Sequence, residues 1–398
     1  MTPTGLLSVV RCPWARASRS AEHHSLRLLP TTDNRQPTTD NRQPTTDNRQ
    51  PTTDLPPPVP SLPQADLDHI LTHTQGLWDD LRGQRLFITG GTGFFGIWLL
   101  ESFCHANDRL NLGAQATVLT RSPDAFRRKA PHLANRNDLG FVAGDVRDFE
   151  FPDGDFPHVI HAGTTSSAPV EPLEMFTTLV DGTHRVLDFA ASHATRKLLF
   201  VSSGAVYGRQ PPDLSHIPEN YTSTPDPLDP ASAYGEGKRA AESLCFSAGQ
   251  KHGFETKIAR GFAFVGPHLP LDAHFAIGNF IRDALAGGPV RVAGDGSPYR
   301  SYLHAADLSI WLWTILLRGS NGNAYNVGSE AGLPISQIAQ VVCDSITPPP
   351  ALHIAHTPKP DQQPSRYVPS THKARTELGL RETLDLHEAI RRTVLWHQ

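Results

Sequence analysis

A tyrosine and a lysine one helical turn apart are the residues of this chain best suited to acid–base chemistry. Tyr234-Gly-Glu-Gly-Lys238 opens a predicted helix, so the two side chains share a face. A phenol with its ordinary pKa near ~10 is a weak base at neutral pH, but a neighbouring ammonium lowers that pKa. Ser203 follows a predicted strand, where its hydroxyl could hold a substrate oxygen. Together the three predict general acid–base catalysis of an alcohol–ketone interconversion, although each alone would suit an ordinary surface.

The glycine-rich segment at residues 85–100 predicts a strand, a phosphate-binding loop and a helix. Gly90 allows a sharp turn at the strand end, Gly93 lets a pyrophosphate approach the backbone, and Gly96 lets the helix pack close to the sheet. Phe94 and Phe95 begin the helix, whose free N–H groups and dipole favour an anion. The segment therefore predicts a dinucleotide cofactor.

The elements that must position these residues alternate between buried strands and helices. After the strand at Arg85, the predicted strands are Ala116–Thr120, Gly140–Asp145, Pro157–His161, Lys197–Ser202 and Thr256–Arg260. This alternation predicts an α/β fold with a doubly wound, parallel Rossmann sheet, whose ligands bind at the carboxyl ends of the strands. Beyond Gly266 the elements become shorter and predict a smaller C-terminal α/β substrate-binding lobe.

Three segments are expected on this basis. Residues 1–63 form a disordered repeat tail and a proline-rich linker, residues 64–265 the NAD(P)-binding Rossmann domain, and residues 266–398 the substrate-binding lobe, interleaved with it. The tail repeats Thr31-Thr-Asp-Asn-Arg-Gln-Pro37, a polar unit that cannot bury a core. One hypothesis is that it is a translated tandem repeat upstream of the true start. A spacer or interaction tail is the alternative.

With these motifs the sequence resembles the extended short-chain dehydrogenase/reductases, also called the NAD-dependent epimerase/dehydratase family of nucleotide-sugar enzymes. The resemblance runs from Arg85 to about Trp396. It implies that Ser203, Tyr234 and Lys238 form the catalytic triad and that Tyr234 and Lys238 also contact the cofactor. It further implies roles for Asp145 and Val146 at the adenine, for Ala162 and Gly163 at the pyrophosphate, and for Arg300 and Arg366 at the nucleotide diphosphate of a sugar. As bare residues, the two arginines could equally form surface ion pairs.

The departures from the family pattern bear on the reaction. Ala205 stands where family dehydratases and decarboxylases carry an acidic residue, and Leu179 and Ala263 stand where the family commonly has asparagine. Asn279 could replace one of those substrate contacts. We therefore expect hydride transfer at C4 of a nucleotide-activated hexose by an epimerase or 4-keto reductase, ahead of a 4,6-dehydratase or decarboxylase. A non-catalytic dinucleotide sensor is the second hypothesis, which the intact triad opposes.

The choice between NAD and NADP depends on the end of the second strand. NAD-specific members usually place an acidic residue there, which hydrogen-bonds the ribose and repels a 2′-phosphate. Here the strand ends in Thr120-Arg121-Ser122, with no acid before Asp124. Arg121 offers a positive fork suited to a phosphate and Ser122 a further donor, which favours NADP. The alternative is a solvated Arg121 with NAD bound through its pyrophosphate.

Composition excludes several other classes of function. The net charge of −4 gives no support for nucleic-acid binding. The four cysteines are scattered without metal-ligand spacing, so we expect no metal and a reducing cytoplasmic location. No apolar run approaches the roughly 20 residues that span a bilayer, so we expect no membrane segment. The family resemblance also implies a homodimer through a four-helix bundle of Val170–His193 and Ala231–His252.

Overall fold

The computed structural model describes residues 58–163, 170–273, 275–359, 361 and 363–398. The predictions for the repeat tail therefore lie outside the described residues. Residues 55–398 form one compact unit.

The strands and helices of the described residues are numbered here in chain order. The strands are β1 (Arg85–Thr89), β2 (Gln115–Thr120), β3 (Leu139–Ala143), β4 (His158–His161), β5 (Lys197–Ser203), β6 (Glu255–Gly261), β7 (Phe264–Val265), β8 (Val290–Val292), β9 (Tyr299–Arg300), β10 (Leu303–His304), β11 (Asn323–Val327), β12 (Leu333–Pro334), β13 (Leu352–Ile354) and β14 (Arg366–Tyr367). The α-helices are α1 (Gln64–His73), α2 (Phe94–Leu110), α3 (Pro123–Lys129), α4 (Pro131–Ala134), α5 (Pro172–Ser192), α6 (Ala233–His252), α7 (Ala276–Leu285), α8 (Ala305–Arg318), α9 (Ile335–Asp344), α10 (His372–Leu378) and α11 (Leu386–His397).

Seven strands of the described chain form one parallel sheet in the order β3, β2, β1, β4, β5, β6, β11. The order in which the strands are added reverses between β1 and β4, which is where ligands bind in doubly wound folds. The parallel Rossmann fold predicted from the sequence is therefore confirmed. Because all seven strands run the same way, Thr89, His161 and Ser203 end β1, β4 and β5 at one edge of the sheet.

Helices cover both faces of the sheet because the buried strands are apolar on both sides. Along β1, Leu86 and Ile88 pack into the core shared with α2 and α8, whereas Phe87 points into the opposite core, shared with α5 and α6. Alternate side chains of a strand point to opposite faces, which accounts for this division. The helix α8 is buried from Ala305 to Leu317, so its whole circumference is covered.

A second set of elements forms its own core beyond the carboxyl edge of the sheet. Side chains of α7 and α9 pack there against β8, and α11 packs against α7 and α9. The segment Ala324–Val327 falls within residues 266–398, which were expected to form the lobe. It lies in β11 and pairs in parallel with β6 at the end of the central sheet. The chain thus returns to the Rossmann domain after starting the lobe.

Among the described residues, no helix combines the length and the apolar character needed to cross a membrane.

Candidate active site

A cavity of about 1890 Å³ runs along the carboxyl ends of β1, β2 and β5 and continues between α7 and β8. Most of the predicted site residues lie in this one cavity. Those that line it are Gly90, Gly93, Phe94, Phe95, Arg121, Ser122, Asp145, Val146, Ala162, Gly163, Ser203, Tyr234, Lys238, Asn279 and Arg300. Gly96 and Arg366 are absent from its lining.

The glycine-rich loop uses its glycines for different reasons. Gly90 has φ +74°, and a Cβ there would lie 2.4 Å from the carbonyl oxygen of Ala162. A Cβ on Gly96 would lie 2.2 Å from the backbone carbon of Gly91, so Gly96 is required by packing. The packing of the loop itself therefore requires both glycines. Gly96 has this structural role and does not line the cavity.

Gly93 differs from both, because no atom of the described residues requires a glycine at its position. Its φ is −86°, and a Cβ would meet no atom nearer than 3.6 Å. It faces the cavity at the N-terminus of α2, where backbone N–H groups favour an anion. The open space at Gly93 fits the pyrophosphate of a dinucleotide, so the residues present match the cofactor that the loop predicts.

The far end of the cavity carries one carboxylate among several cationic groups. Asp145 accepts hydrogen bonds from the guanidinium of Arg147 at 2.7 and 3.1 Å, and these bonds lower the pKa of Asp145. Arg121 is exposed at the end of β2, and Ser122 caps α3 by accepting from the Ala125 N–H at 3.2 Å. The cavity wall here therefore offers cations after β2, as predicted for Arg121, and an ionised acid after β3.

The predicted triad comes together at the carboxyl end of β5. Lys238 donates a hydrogen bond from Nζ to the carbonyl oxygen of Val201 at 2.7 Å, and burial lowers its pKa to about 8. Burial raises the pKa of the Tyr234 phenol and outweighs the effect of the Ser203 hydroxyl, which lowers it. The expectation that Lys238 brings the pKa of Tyr234 below its ordinary value is therefore wrong. The lysine Nζ lies 5.9 Å from the centre of the Tyr234 ring and is bonded to the backbone instead.

Sequence reasoning missed one member of this cluster, Tyr367. Its ring packs 4.7 Å from that of Phe262, it lines the same cavity, and burial raises the pKa of its phenol while the nearby Ser203 hydroxyl partly offsets that rise. Ser203 is buried and also accepts a hydrogen bond from the Ala205 N–H at 3.1 Å. The only signal in the sequence was the neighbouring Arg366, which the family resemblance placed at the substrate.

Leu179 and Ala263 depart from the family pattern, and neither side chain offers a polar group to a substrate. Leu179 is buried against Gly237, where a Cβ would lie 2.8 Å from the leucine side chain. Ala263 lines the cavity without a polar group, and Asn279 lines it while its Oδ1 accepts from Arg282 at 3.0 Å. Among the described residues that line the cavity, Asp145 is the only carboxylate.

The two predicted diphosphate-binding arginines take different positions. Arg300 lines the main cavity and donates from Nη1 to the Tyr299 carbonyl oxygen at 2.8 Å. The Arg366 guanidinium lies 4.0 Å over the ring of Tyr299 and lines a separate cavity of about 220 Å³ beside Asp213. The structure therefore brings Arg300, and not Arg366, into the cavity of the triad.

Comparisons with known proteins identify the family of the chain. The model of the NAD dependent epimerase/dehydratase family matches residues 86–328. The chain belongs to this family. The match spans the glycine-rich loop, the triad and Arg300, so the family and the class of enzyme predicted from the sequence are confirmed.

Individual members of the epimerase/dehydratase family resemble the chain at moderate identity. UDP-glucuronic acid decarboxylase 1 of Danio rerio is 28% identical over 315 residues, covering 78% of this chain and 72% of the relative. The structure of a UDP-glucose 4-epimerase with UDP-glucose from Thermotoga maritima superposes with a TM-score of 0.63 at 20% identity, covering 79% of this chain and 98% of that one. A dTDP-glucose 4,6-dehydratase from Streptomyces venezuelae with NAD bound gives a TM-score of 0.63 at 23% identity, covering 79% and 97%.

Proposed function

We propose that this protein catalyses NAD(P)-linked hydride transfer at C4 of a nucleotide-activated hexose. The observation that carries the proposal is the convergence of Ser203, Tyr234 and Lys238 in one cavity with the open turn at Gly93 and with Arg300. When bound, the nicotinamide ring would accept or return the hydride. The loop at Gly93 and the N-terminus of α2 would hold the cofactor pyrophosphate, and Arg300 would hold the diphosphate of the sugar.

The three catalytic side chains divide the proton chemistry. Tyr234 exchanges a proton with the C4 oxygen, and the Ser203 hydroxyl donates a hydrogen bond to that oxygen. Lys238 has a pKa of about 8 and so carries its charge at neutral pH, which favours the ionised phenol over the neutral one. Burial opposes that ionisation, so we expect a bound substrate and cofactor to be needed before Tyr234 gives up its proton.

The environment of the triad favours an epimerase or a 4-keto reductase. A 4,6-dehydratase must take a proton from C5 and give one to the departing C6 hydroxyl, which asks for a further acid and base. Ala205 contributes no such group, and Asp145, the one carboxylate in the described lining, follows β3 at the end of the cavity away from Ser203. Reactions completed at C4 need only the triad.

A decarboxylase is the second candidate, because relatives at 28% identity are UDP-glucuronic acid decarboxylases. Oxidation at C4 of a sugar with a C6 carboxylate produces a β-keto acid. The C5–C6 bond then breaks, CO₂ leaves, and its electron pair forms an enolate on the C4 oxygen, where Ser203 and Tyr234 lie. The enolate takes a proton at C5 from water or Tyr234, and C4 takes the hydride back from the reduced cofactor. The bond cleavage itself needs no protein carboxylate, so Ala205 counts only against the return of the proton to C5.

Three further properties belong to the proposal. We propose an NADP preference from Arg121, which lines the cavity at the end of β2. We also propose a homodimer through α5 and α6, whose outer faces expose Leu173, Phe176 and Phe246. A reducing, cytoplasmic location is supported by Cys104, Cys245 and Cys343, which are buried free thiols.

One assay separates the candidate reactions. Purified protein is incubated with UDP-glucose, UDP-glucuronic acid or dTDP-glucose and with each nicotinamide cofactor, and the products are read by mass spectrometry and NMR. An epimer keeps the mass of the substrate, decarboxylation removes CO₂, dehydration removes water, and a reductase consumes reduced cofactor with a 4-keto sugar. Cofactor binding without turnover on the whole panel, in a protein whose Tyr234→Phe variant binds equally well, would support the sensor instead.

A further inference from the structure

Two tyrosines from distant parts of the chain converge on Ser203. Tyr234 comes from the first turn of α6, and Tyr367 comes from β14, which pairs with β9 so that Tyr367 lies beside Arg300. Both phenols line the cavity, and burial raises the pKa of each against a smaller, opposing effect of the Ser203 hydroxyl. Ser203 therefore interacts with both phenols and lies at the centre of a row of three hydroxyl groups.

Gly204 provides the space that the Tyr367 hydroxyl occupies. A Cβ at position 204 would lie 2.6 Å from Tyr367 Oη and 2.8 Å from the ring of Phe262. Gly204 is not among the glycines with positive φ, so its backbone conformation does not by itself require glycine. The absence of a side chain at position 204 is thus explained by the approach of Tyr367 and Phe262 to the turn after β5.

The number of hydrogens on Ser203 limits how the row can be arranged. A serine hydroxyl has one hydrogen to donate and two lone pairs to accept with. One lone pair accepts from the Ala205 N–H at 3.1 Å. If Tyr367 donates to the other, the single Ser203 hydrogen is directed at Tyr234. In the reverse arrangement Ser203 donates to Tyr367, and Tyr234 must keep its proton in order to donate to the serine.

We propose that Tyr367 is a positioning residue that donates to Ser203 and so directs the Ser203 hydrogen toward Tyr234 and the C4 oxygen. The inference rests on the hydride-transfer function proposed above. Tyr367 acts through the serine and takes no proton from the substrate. Burial raises the pKa of the Tyr367 phenol, which agrees with a group that stays neutral and donates. A hydrogen bond from Ser203 to Tyr234 favours the ionised phenol that accepts a proton from the substrate.

The groups around the row determine what a pH measurement reports. Tyr367 faces Ser203, Tyr234, Tyr207 and Arg300, and Tyr234 additionally has Lys238 one turn along α6. Burial raises the pKa of Tyr207 to about 12, and its hydroxyl accepts from Arg260 at 2.9 Å, so it titrates above the range of an activity assay. The acid limb of the oxidation direction therefore reports Tyr234 together with Lys238, whose pKa of about 8 lies inside that range.

The test is Tyr367→Phe in the full chain, with Tyr221→Phe as the matched control. Tyr221 packs near Tyr207 but is not among the residues that line the cavity. Loss of one neutral donor should lower kcat about 3- to 10-fold with little change in KM, and should move the acid limb to higher pH. In a Ser203→Ala background the same substitution should cost nothing further, because its effect passes through the serine. Tyr221→Phe should match the wild type.

Two outcomes would overturn the inference. One is a Tyr367→Phe variant with the kcat and pH profile of the wild type. The other is a fall in kcat caused by Tyr367→Phe that is as large in the Ser203→Ala background as in the wild type. If Tyr367→Phe does not fold, Gly204→Ala serves instead, since its Cβ displaces the Tyr367 hydroxyl and keeps the residue; it should show the same shifted acid limb. If the wild type turns over no nucleotide sugar, the proposed function fails separately. The pKa of Tyr234, followed by tyrosine-labelled NMR in the cofactor-free protein, then decides: it should rise in Tyr367→Phe, and an unchanged value refutes the inference.

Discussion

Lys238 Nζ lies 2.7 Å from the carbonyl oxygen of Val201 and donates a hydrogen bond to it. This bond ties the second turn of α6 to the end of β5, next to Ser203. The ammonium is buried, and its pKa of about 8 reflects the loss of water around it. The lysine thus costs stability, and that cost can be measured.

Lys238→Met should change how stability depends on pH. Above pH 8 the folded protein loses the Lys238 proton, whereas the unfolded chain keeps it up to its ordinary pKa of 10.5. The unfolded state then binds more protons, so Lys238 makes the free energy of unfolding rise with pH between about 8 and 10.5, by at most about 1.4 kcal/mol per unit. The free energy of unfolding is measured by urea denaturation at several pH values. The wild-type value minus the variant value should rise with pH at this slope. Parallel curves would contradict the burial of a charged lysine.

Gly93→Val should abolish cofactor binding without unfolding the protein. Within the described part of the chain, the new Cβ comes no nearer than 3.6 Å to another residue's atoms, but it occupies the space where the pyrophosphate must approach. Gly96→Ala is the matched control, because its Cβ would clash with the backbone at Gly91 and should lower the Tm. Fluorescence titration with NADH or NADPH and thermal denaturation separate the two effects. Wild-type affinity in Gly93→Val would mean that the loop is only a packing turn.

Arg121→Ala should weaken NADPH binding and leave NADH binding nearly unchanged. A charge-assisted hydrogen bond is worth about 1.5–3 kcal/mol, so the expected loss for NADPH is roughly 10- to 100-fold. Arg128→Ala is a suitable control, since Arg128 is exposed on α3 and does not line the cavity. The ratio of the two dissociation constants gives the answer directly. A wild type that prefers NADH would overturn the proposed NADP preference.

Leu173→Glu should weaken the proposed homodimer. Leu173 is 75% exposed on α5 beside Phe176, on the face that α5 and α6 would present to a second copy. A buried charge at such an interface is costly, so the variant should shift toward the monomer in light scattering at micromolar concentration. Leu395→Glu, on the 55% exposed Leu395 of α11, should leave the oligomeric state unchanged. A monomeric wild type would refute the dimer.

Local patterns in the sequence were enough to predict the Rossmann core and most of its site. Two of these patterns are local and do not depend on the rest of the fold. They are the glycine spacing at Gly90, Gly93 and Gly96 and the helical spacing of Tyr234 and Lys238. Strands that read as apolar runs between helices likewise specify a parallel sheet whose strand ends meet. Together with the family resemblance, these patterns predicted that Ser203 and Tyr234 act at one site.

The burial of the site residues and the return of the chain to the central sheet were decided only by the tertiary structure. The direction of the Tyr234 pKa shift depends on how much water the fold removes, and no spacing in the sequence shows that. Tyr325 was expected in the lobe. It lies instead in β11, which pairs with β6 in the central sheet, and this pairing buries its ring in the core under the sheet. Tyr367 joined the triad because β14 pairs with β9, and such long-range pairing follows from the packing of the whole chain. Sequence motifs thus determined which chemistry the protein carries, and packing decided which further hydroxyl, Tyr367, faces Ser203.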